Sequence, residues 1–340
     1  MFTVLGTLVF LLAVFWLYGA FRAGLFAGEK HVAVSEAFPD GVEPFSQRKR
    51  FVEIGNAKVA YIDEGQGPAI LLLHGCPFQS YEWKDVIPLL SKEHHVIAPD
   101  LLGLGDTVVF QDADYRLPEQ VRMIVGLLDH LKINEVNVVG HDHGGAIVQL
   151  LMKQHPERLA SAVLTNVEAY DQWPSEAERM DVLLAVHPVT TPLFRLALAM
   201  KPVQRWIYRI AVVDRKTLND EVLFAFVRQH ISSARRWARL RRFLRWQLDR
   251  DHNQETVRAV DALRAFSKPT LLLWGAEDRN FGLDIARRLE EDIPGVVRLE
   301  VVEGSAHLPM LEQPGSYGTA LLRFLGDIRD MKTPTQRKAA

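Results

Sequence analysis

The stretch VNVVGHDHGG, residues 136–145, restricts the fold more than any other part of the chain. Its first half is an apolar run typical of a buried strand, and the glycines after it predict a tight turn into a helix. A turn of the form Gly-x-nucleophile-x-Gly holds its central side chain on a strained, exposed tip. Here Gly140 and Gly144 are in place, and the central residue is Asp142. The stretch therefore predicts a strand–turn–helix unit that presents a carboxylate.

The order of segments around this turn predicts an α/β fold. Continuous apolar runs such as AILLL and PTLLLWG suit strands of a parallel sheet covered on both faces. Segments with helical spacing, such as PEQVRMIVGLLDHL, lie between such runs, and this alternation predicts a mostly parallel, doubly wound sheet. Residues 170–265 interrupt the alternation with helical segments broken by prolines. We expect them to form an inserted helical cap over the carboxyl ends of the strands.

Residues 2–21 form a charge-free run, FTVLGTLVFLLAVFWLYGAF. Its length matches the roughly 20 apolar residues that cross a bilayer as a helix. The alternatives are a buried core helix and a cleaved signal peptide, but a signal peptide has basic residues before a shorter apolar region, and none precede this run. Arg22 and Lys30 follow the run, so the positive-inside rule places the rest of the chain in the cytoplasm. We expect a single-pass membrane anchor.

These patterns divide the chain into six predicted segments. The strand pattern resumes after residue 265, so one sheet is expected to be built from the parts before and after the cap. The segments are a transmembrane anchor with its flank at 1–27, a polar connector at 28–50, the first part of the core at 51–169, the helical cap at 170–265, the second part of the core at 266–328 and a polar tail at 329–340.

Composition and motifs exclude several kinds of partner. The formal net charge of −2 leaves no excess of Lys and Arg, so we expect no nucleic-acid partner. The sequence has no metal-ligand spacing, phosphate loop or dinucleotide fingerprint, so we expect neither a metal nor a cofactor. The single cysteine, Cys76, permits no intrachain disulfide, which fits a reducing compartment.

A nucleophile on such a turn needs a base, a group that orients the base, and donors for an oxyanion. Asp278 and His307 each follow a predicted strand, and the chain order Asp142, Asp278, His307 is nucleophile, acid, base. Glu168, just after another strand, is the rival to Asp278 as the orienting acid. The Gly-rich turn HGCP and the nucleophile turn predict two backbone donors, the N–H groups of Cys76 and His143.

The motifs HGCP, DLLGLGDT, GHDHGG, WGAED and GSAHLPMLEQP occur in this order between about residues 50 and 328. Together they resemble an α/β-hydrolase of the epoxide hydrolase and haloalkane dehalogenase branch, which carries Asp as the nucleophile. The resemblance implies that Asp142 displaces a leaving group from an sp³ carbon and becomes an ester. It also implies that His307, oriented by Asp278, activates a water that hydrolyses this ester.

The resemblance leaves two leaving groups open. Haloalkane dehalogenases usually hold the halide with a Trp after the nucleophile and an Asn in an H-G-N-P turn, and this chain has His143 and Cys76 there. Another tryptophan could serve instead, the candidates being Trp83, Trp173 and Trp206; for a fluoroacetate-type site a cap histidine, His187, is the candidate. Epoxide hydrolases donate protons from cap tyrosines, and this cap has Tyr170 and Tyr208.

We therefore expect hydrolysis of a small lipophilic epoxide to a diol, with Tyr170, Tyr208 and Trp83 as candidate substrate-binding residues. Haloalkane dehalogenation is the alternative. A further alternative is a binding protein on the same fold without activity, although such relatives usually lack part of the triad.

Overall fold

A computed structural model of the chain describes residues 14–18, 42–110, 114–249 and 254–332. Within these residues the main element is one sheet of nine strands, in the order β1-β2-β4-β3-β6-β7-β8-β9, with β5 paired to β2. The strands are β1 (Arg50–Ile54), β2 (Ala57–Glu64), β3 (Ala69–Leu73), β4 (His95–Pro99), β5 (Val108–Val109), β6 (Val136–Asp142), β7 (Leu159–Val167), β8 (Thr270–Gly275) and β9 (Val296–Val302).

The sheet is mostly parallel, as the sequence predicts. Its antiparallel pairs all involve β2, whereas the neighbours from β4 to β9 run parallel. Leu73 of β3 pairs with Gly140 of β6, Gly140 with Leu164 of β7, and Leu164 with Leu272 of β8. These central strands therefore end at one edge of the sheet, where parallel α/β folds place their sites.

The apolar composition of the central strands explains their position. All six residues of β8 are buried, and so are the last four of β3. A strand buried on both faces needs helices over both sides of the sheet. The helices before the cap are α1 (Val42–Gln47), α2 (Ile87–Leu90), α3 (Leu117–His130) and α4 (His143–Gln154), with short 3₁₀ turns at Ser80–Trp83 and Pro156–Arg158.

Between β7 and β8 the structure describes helices and no strand, for residues 168–249 and 254–269. They are α5 (Glu176–Val186), α6 (Thr191–Leu198), α7 (Lys201–Tyr208), α8 (Asp220–Leu223), α9 (Gln229–Ile231), α10 (Ala234–Gln247), α11 (Gln254–Val257) and α12 (Val260–Ala265), with a 3₁₀ turn at Arg215–Thr217 and a π-helical turn at Phe224–Arg228. The helices after β8 are α13 (Leu283–Asp292), α14 (Pro309–Glu312) and α15 (Pro314–Lys332).

The turn between β6 and α4 is as tight as its glycines predict. Asp142 has φ 52° and ψ −118°, a conformation that L residues rarely adopt. A Cβ on Gly144 would lie 2.2 Å from the carbonyl oxygen of Leu73, and one on Gly140 would lie 2.6 Å from that of Gly144. Because only glycine fits these close backbone approaches, the sequence allows α4 to start directly behind the carboxylate.

The predicted membrane span at 2–21 lies outside the described residues except for a helical stretch at 14–18. There, Trp16 Nε1 donates a hydrogen bond to the carbonyl oxygen of Val189, in the loop between α5 and α6, at 2.7 Å. In the part of the chain that the structure describes, no single helix combines the length and apolarity needed to cross a bilayer. Glu178–Val186 and Thr191–Leu198 meet that test only as a pair, bent by 116°.

Candidate active site

Asp142 is the buried centre of the site, with 1% of its surface exposed. Its Oδ1 accepts hydrogen bonds from the backbone N–H groups of Cys76 at 2.7 Å and His143 at 2.6 Å. Cys76 follows β3 and His143 opens α4, so two neighbouring strand ends supply the donors. These are the two N–H groups that the sequence predicts for an oxyanion site, and both converge on one carboxylate oxygen.

His307 joins the other oxygen of this carboxylate to a second acid. Its Nε2 lies 3.4 Å from Oδ2 of Asp142, and its Nδ1 lies 3.0 Å from Oδ2 of Asp278. Asn166 donates to the same Asp278 oxygen at 2.7 Å, and the N–H of Asn280 donates to its Oδ1, also at 2.7 Å. With its acceptors engaged, the Asp278 carboxylate is held in one orientation against the imidazole.

Electrostatics within this group favour an ion pair. Burial by itself would raise the pKa of Asp142, but the hydrogen bond and charge of His307, with His141 and the Cys76 N–H, hold it below the usual range. Burial would lower the pKa of His307, but the carboxylates of Asp278 and Asp142 raise it well above the usual range. At neutral pH the resting pair is therefore carboxylate and imidazolium.

A buried pair behind the nucleophile fixes the backbone on either side of it. His141 Nδ1 lies 2.9 Å from Oε1 of Glu82, and His141 Nε2 lies 2.8 Å from the carbonyl oxygen of His307. The other Glu82 oxygen accepts the N–H of Gly75, in the turn that precedes Cys76, at 3.3 Å. Glu82 and His141 thus connect the turn that carries the Cys76 N–H to the loop that carries His307.

Glu168, the rival orienting acid, lies on a different histidine. Its Oε2 is 2.9 Å from Nδ1 of His143, and its carbonyl oxygen accepts from Gln149 at 2.7 Å. Burial, together with the charges of Asp142 and Glu178, raises the pKa of Glu168 well above the usual range. Asp278 is therefore the acid that contacts His307, and Glu168 supports the first turn of α4.

A mainly apolar pocket extends from His307 and Cys76 into the cap. Its polar members besides these two are Glu178, Asp181, Tyr208, His230, Gln247 and Asn280. Much of the remaining wall is apolar and includes Phe78, Phe226, Val227, Trp237, Leu240 and Leu244. Such a wall suits a lipophilic molecule that carries few polar groups.

Of the three predicted substrate-binding residues, Tyr208 lines this pocket and the other two do not. The hydroxyl of Tyr170 donates to Oδ2 of Asp292, the last residue of α13, at 2.8 Å. Trp83 is fully buried in the core, with its ring centroid 6.2 Å from that of Tyr317. The resemblance suggests both residues by their type, and the structure buries both in contacts outside the pocket.

The other aromatic and histidine candidates also lie away from the pocket wall. Trp206 is 60% exposed, His187 is exposed at the end of α5, and Trp173 packs near His143 with a ring-centroid distance of 5.2 Å. The tryptophan that does line the pocket is Trp237, and its indole N–H donates to Thr191 at 3.1 Å.

Five polar pocket residues escaped the sequence analysis: Glu178, Asp181, His230, Gln247 and Asn280. Glu178 belongs to the segment SEAERMD, which has the composition of a solvated helix start. His230 donates from Nε2 to the carbonyl oxygen of Pro77 at 2.7 Å, and burial lowers its pKa to about 3, so the ring is neutral. In the described residues there is no group of three or more His, Cys, Asp or Glu side chains that could hold a metal ion.

A family model described as "alpha/beta hydrolase fold" matches residues 68–314, which includes the whole of the site and the cap. The chain belongs to the α/β-hydrolase fold family. The match covers nearly three quarters of this hydrolase, from β3 to the start of α15, and it agrees with the parallel sheet and the nucleophile turn.

Individual relatives show what this hydrolase is similar to. It is 27% identical over 287 residues to haloalkane dehalogenase 2 of Mycobacterium tuberculosis. This alignment covers 83% of this chain and 96% of that protein. This hydrolase is 28% identical over 262 residues to the cis-3-alkyl-4-alkyloxetan-2-one decarboxylase of Shewanella oneidensis, with 75% and 80% covered. The crystal structure of haloalkane dehalogenase DbeA from Bradyrhizobium elkani shares the fold, with a TM-score of 0.70, 21% identity and 83% and 99% covered.

Proposed function

We propose that this hydrolase works through a covalent ester on Asp142. One observation carries the proposal: Oδ1 of Asp142 accepts both oxyanion donors while Oδ2 remains beside His307. Oδ2 attacks an sp³ carbon of the substrate, and the bond from that carbon to its leaving group breaks. The product is an alkyl ester of Asp142, whose carbonyl oxygen, Oδ1, already lies between the N–H groups of Cys76 and His143.

Formation of the ester prepares the second step. Once Asp142 is esterified, its negative charge is gone, and one of the two carboxylates that raise the pKa of His307 no longer acts on it. The imidazolium then gives up its proton more readily to another group of the pocket, and the neutral imidazole becomes a base for water. Attack of that water on the ester carbonyl places negative charge on Oδ1, where the two N–H donors stabilise it.

For the leaving group we propose an epoxide oxygen, which gives a diol after hydrolysis. The pocket residues support this choice, because Tyr208 offers a hydroxyl and the indole N–H of Trp237 is already donated to Thr191. A halide needs N–H donors that hold it as an anion. The second candidate is haloalkane dehalogenation, and the similarity to haloalkane dehalogenases favours it.

Membrane attachment through residues 2–21 is a separate part of the proposal. It rests on the charge-free run of apolar residues and on the lipophilic pocket. The test compares the full chain with a variant lacking residues 2–21 by flotation with phospholipid vesicles and by extraction with alkaline carbonate. The full chain should float and resist extraction, and the truncated chain should do neither; a full chain that stays unbound rejects this part.

The test of the chemistry uses His307→Gln, which should form the ester but hydrolyse it slowly. The variant is mixed with a panel of terminal epoxides and matched alkyl bromides, and its intact mass is recorded. An epoxide adds its whole mass, because the leaving oxygen stays attached, whereas an alkyl bromide adds the alkyl group alone. A peptide map should place the adduct on Asp142. If the wild-type chain turns a compound over and no adduct forms on Asp142 in the variant, the covalent mechanism is wrong.

A further inference from the structure

The cap places a carboxyl group in the pocket that the mechanism so far leaves unused. Glu178, on the first turns of α5, lines the pocket together with His307 and Cys76. Asn280 Nδ2 donates to Oε1 of Glu178 at 2.8 Å, and the backbone N–H of Asn280 donates to Asp278 at 2.7 Å. One residue, Asn280, thus connects the cap carboxyl group to the acid that orients His307.

The hydrogen bond from Asn280 selects the oxygen of Glu178 that can carry a proton. Oε1 accepts the amide N–H, so in the neutral acid Oε1 takes the carbonyl position and the proton belongs to Oε2. A neutral carboxylic acid inside a mainly apolar pocket is a hydrogen-bond and proton donor, and the mechanism described so far does not use it.

The charges around Glu178 favour the neutral acid. Burial raises its pKa most, the carboxylates of nearby acids raise it further, and the cation of His307 opposes them; the result is about 8. The ionisable groups that act on or near it are Asp142 on the nucleophile turn, Asp278 and His307 on the strand-end loops, Asp181 on its own helix, Glu168 after β7, Tyr208 on α7 and Cys76 after β3. A general acid is most effective when its pKa lies near the working pH.

We infer that Glu178 is the acid that protonates the leaving oxygen, and that this site takes substrates whose leaving group is an oxygen in a strained ring. The inference rests on the proposed covalent mechanism and assigns its substrate class. Tyr208 lines the same pocket, but burial raises the pKa of its hydroxyl well above the usual range, which makes it the weaker acid.

The proton balance closes over one turnover. In the first step Oδ2 of Asp142 forms a bond to a ring carbon, the ring C–O bond breaks, and the resulting alkoxide takes the proton of Glu178. The Glu178 carboxylate left by this step takes the proton of the resting His307 imidazolium. In the second step the neutral His307 removes a proton from water, hydroxide attacks the ester carbonyl, and the protonated His307 gives its proton to the departing alkoxide. Asp142 is released as a carboxylic acid and passes its proton to His307, which restores the carboxylate, the imidazolium and the neutral Glu178. The net reaction adds one water to the ring.

This role separates oxygen from halide leaving groups. An alkoxide is a strong base and cannot leave without a proton, whereas a halide ion needs hydrogen-bond donors and no proton transfer. Glu178→Gln keeps the size and an N–H donor but removes the transferable proton. The variant should therefore lose alkylation by epoxides and keep alkylation by bromides.

The experiment measures the rate of adduct formation on Asp142 by rapid quench and intact mass, in His307→Gln and in His307→Gln/Glu178→Gln. The probes are styrene oxide with 2-phenylethyl bromide, and linear terminal epoxides with bromides of equal chain length. We expect the second substitution to slow the epoxide reaction by about 10²-fold or more, which is typical of a lost general acid, and to leave the bromide reaction within a few-fold.

The pH dependence gives an independent readout with His307 intact. Glu178 acts when protonated, so kcat/KM for the epoxide should fall as the pH rises through about 8 in the wild-type chain. The Glu178→Gln variant should be slow and should lack this alkaline fall. Glu178→Asp should recover part of the rate, since it restores a carboxylic acid. The control Asp181→Asn removes another pocket acid from α5 and should keep the alkaline fall, displaced to lower pH because the Asp181 charge is one of those that raise the pKa of Glu178.

The outcomes separate the two levels of the proposal. Epoxide adducts that form on Asp142 equally fast in both backgrounds would overturn the role of Glu178 and leave the covalent mechanism standing. The same conclusion follows if Tyr208→Phe, and not Glu178→Gln, stops the epoxide reaction. If no probe alkylates Asp142 in either background while the wild-type chain turns it over, the covalent mechanism fails and the role of Glu178 fails with it.

Discussion

Gly144→Ala tests how closely the backbone of the site is constrained. An alanine Cβ at this position would lie 2.2 Å from the carbonyl oxygen of Leu73, about 1.2 Å short of the 3.4 Å at which ordinary contact begins. The other close atoms, the Leu73 carbonyl carbon at 2.6 Å and the His74 carbonyl oxygen at 2.9 Å, also belong to the backbone. No side chain can rotate away, so α4 and β3 have to separate.

The separation acts directly on the oxyanion donors. The N–H of Cys76 follows β3, and Asp142 moves with α4, so a shift of about 1 Å would lengthen their 2.7 Å hydrogen bond beyond its useful range. Loss of one such donor typically costs about 10²–10³ in rate. Overpacking of this kind also typically destabilises a protein by about 1–3 kcal/mol. Since in the proposed mechanism the donors act on the ester carbonyl, hydrolysis of the ester should slow more than its formation.

The assay follows formation and decay of the Asp142 adduct by rapid quench and mass spectrometry, with urea unfolding measured in parallel. Gly326→Ala is the matched control, because it lies in α15 and a Cβ there meets no atom within 4 Å. That substitution should raise stability by up to about 1 kcal/mol, the usual gain for alanine over glycine in a helix. A Gly144→Ala variant with wild-type stability and wild-type ester decay would refute the reasoning.

Three further predictions concern buried contacts. Lys49→Met should cost about 3–5 kcal/mol in urea unfolding, because it leaves the fully buried Asp100 carboxylate without the ammonium 2.7 Å away. Burial would raise the pKa of Asp100, but the Lys49 ammonium, His74 and a backbone N–H lower it to about 2. The ionised Asp100 therefore contributes fully to the free energy of unfolding above about pH 4, and this contribution disappears as the pH falls through about 2. The variant should lack this acid-unfolding step. Asn166→Ala should lower stability by about 2–3 kcal/mol and also lower kcat, because it removes the amide that donates to Asp278 at 2.7 Å; unchanged kcat would exclude this positioning role. Glu82→Leu should destabilise by about 3–5 kcal/mol, whereas Glu82→Gln, which can still bond the Gly75 N–H and a neutral His141, should unfold within about 1.5 kcal/mol of wild type; equal losses in the two variants would contradict this account.

The sequence was sufficient for the parts of the site that strand ends carry. Asp142, Asp278 and the N–H of Cys76 each follow a buried apolar run, and parallel strands end at one edge of a sheet. Their meeting therefore follows from the order of the strands. His307 is placed in the same way by the end of β9, and its contact with Asp278 and not with Glu168 agrees with the chain-order argument.

Residues of the cap could not be predicted in the same way. Glu178 and His230 reach the pocket because short helices broken by prolines fold back over the sheet, and no periodicity within one helix encodes that packing. Tyr170 shows the opposite error, since its hydroxyl is taken by Asp292 on α13, more than a hundred residues away in sequence. Tyr170 was a candidate because of its residue type and its place in the cap. Its contact with Asp292 is formed only by the folded chain, so the sequence pattern could not show it.

The position of both N–H donors on Oδ1 of Asp142 has a consequence for how such a protein can change. In the proposed mechanism the carbonyl that undergoes hydrolysis comes from the protein, so its surroundings are identical for every substrate. Substitutions in the cap can then alter which compounds react without disturbing the step that regenerates the catalyst. The same hydrolytic centre can therefore serve many substrates. Changes in the cap alter which substrate reacts, and changes around Asp142 alter how fast the ester is hydrolysed.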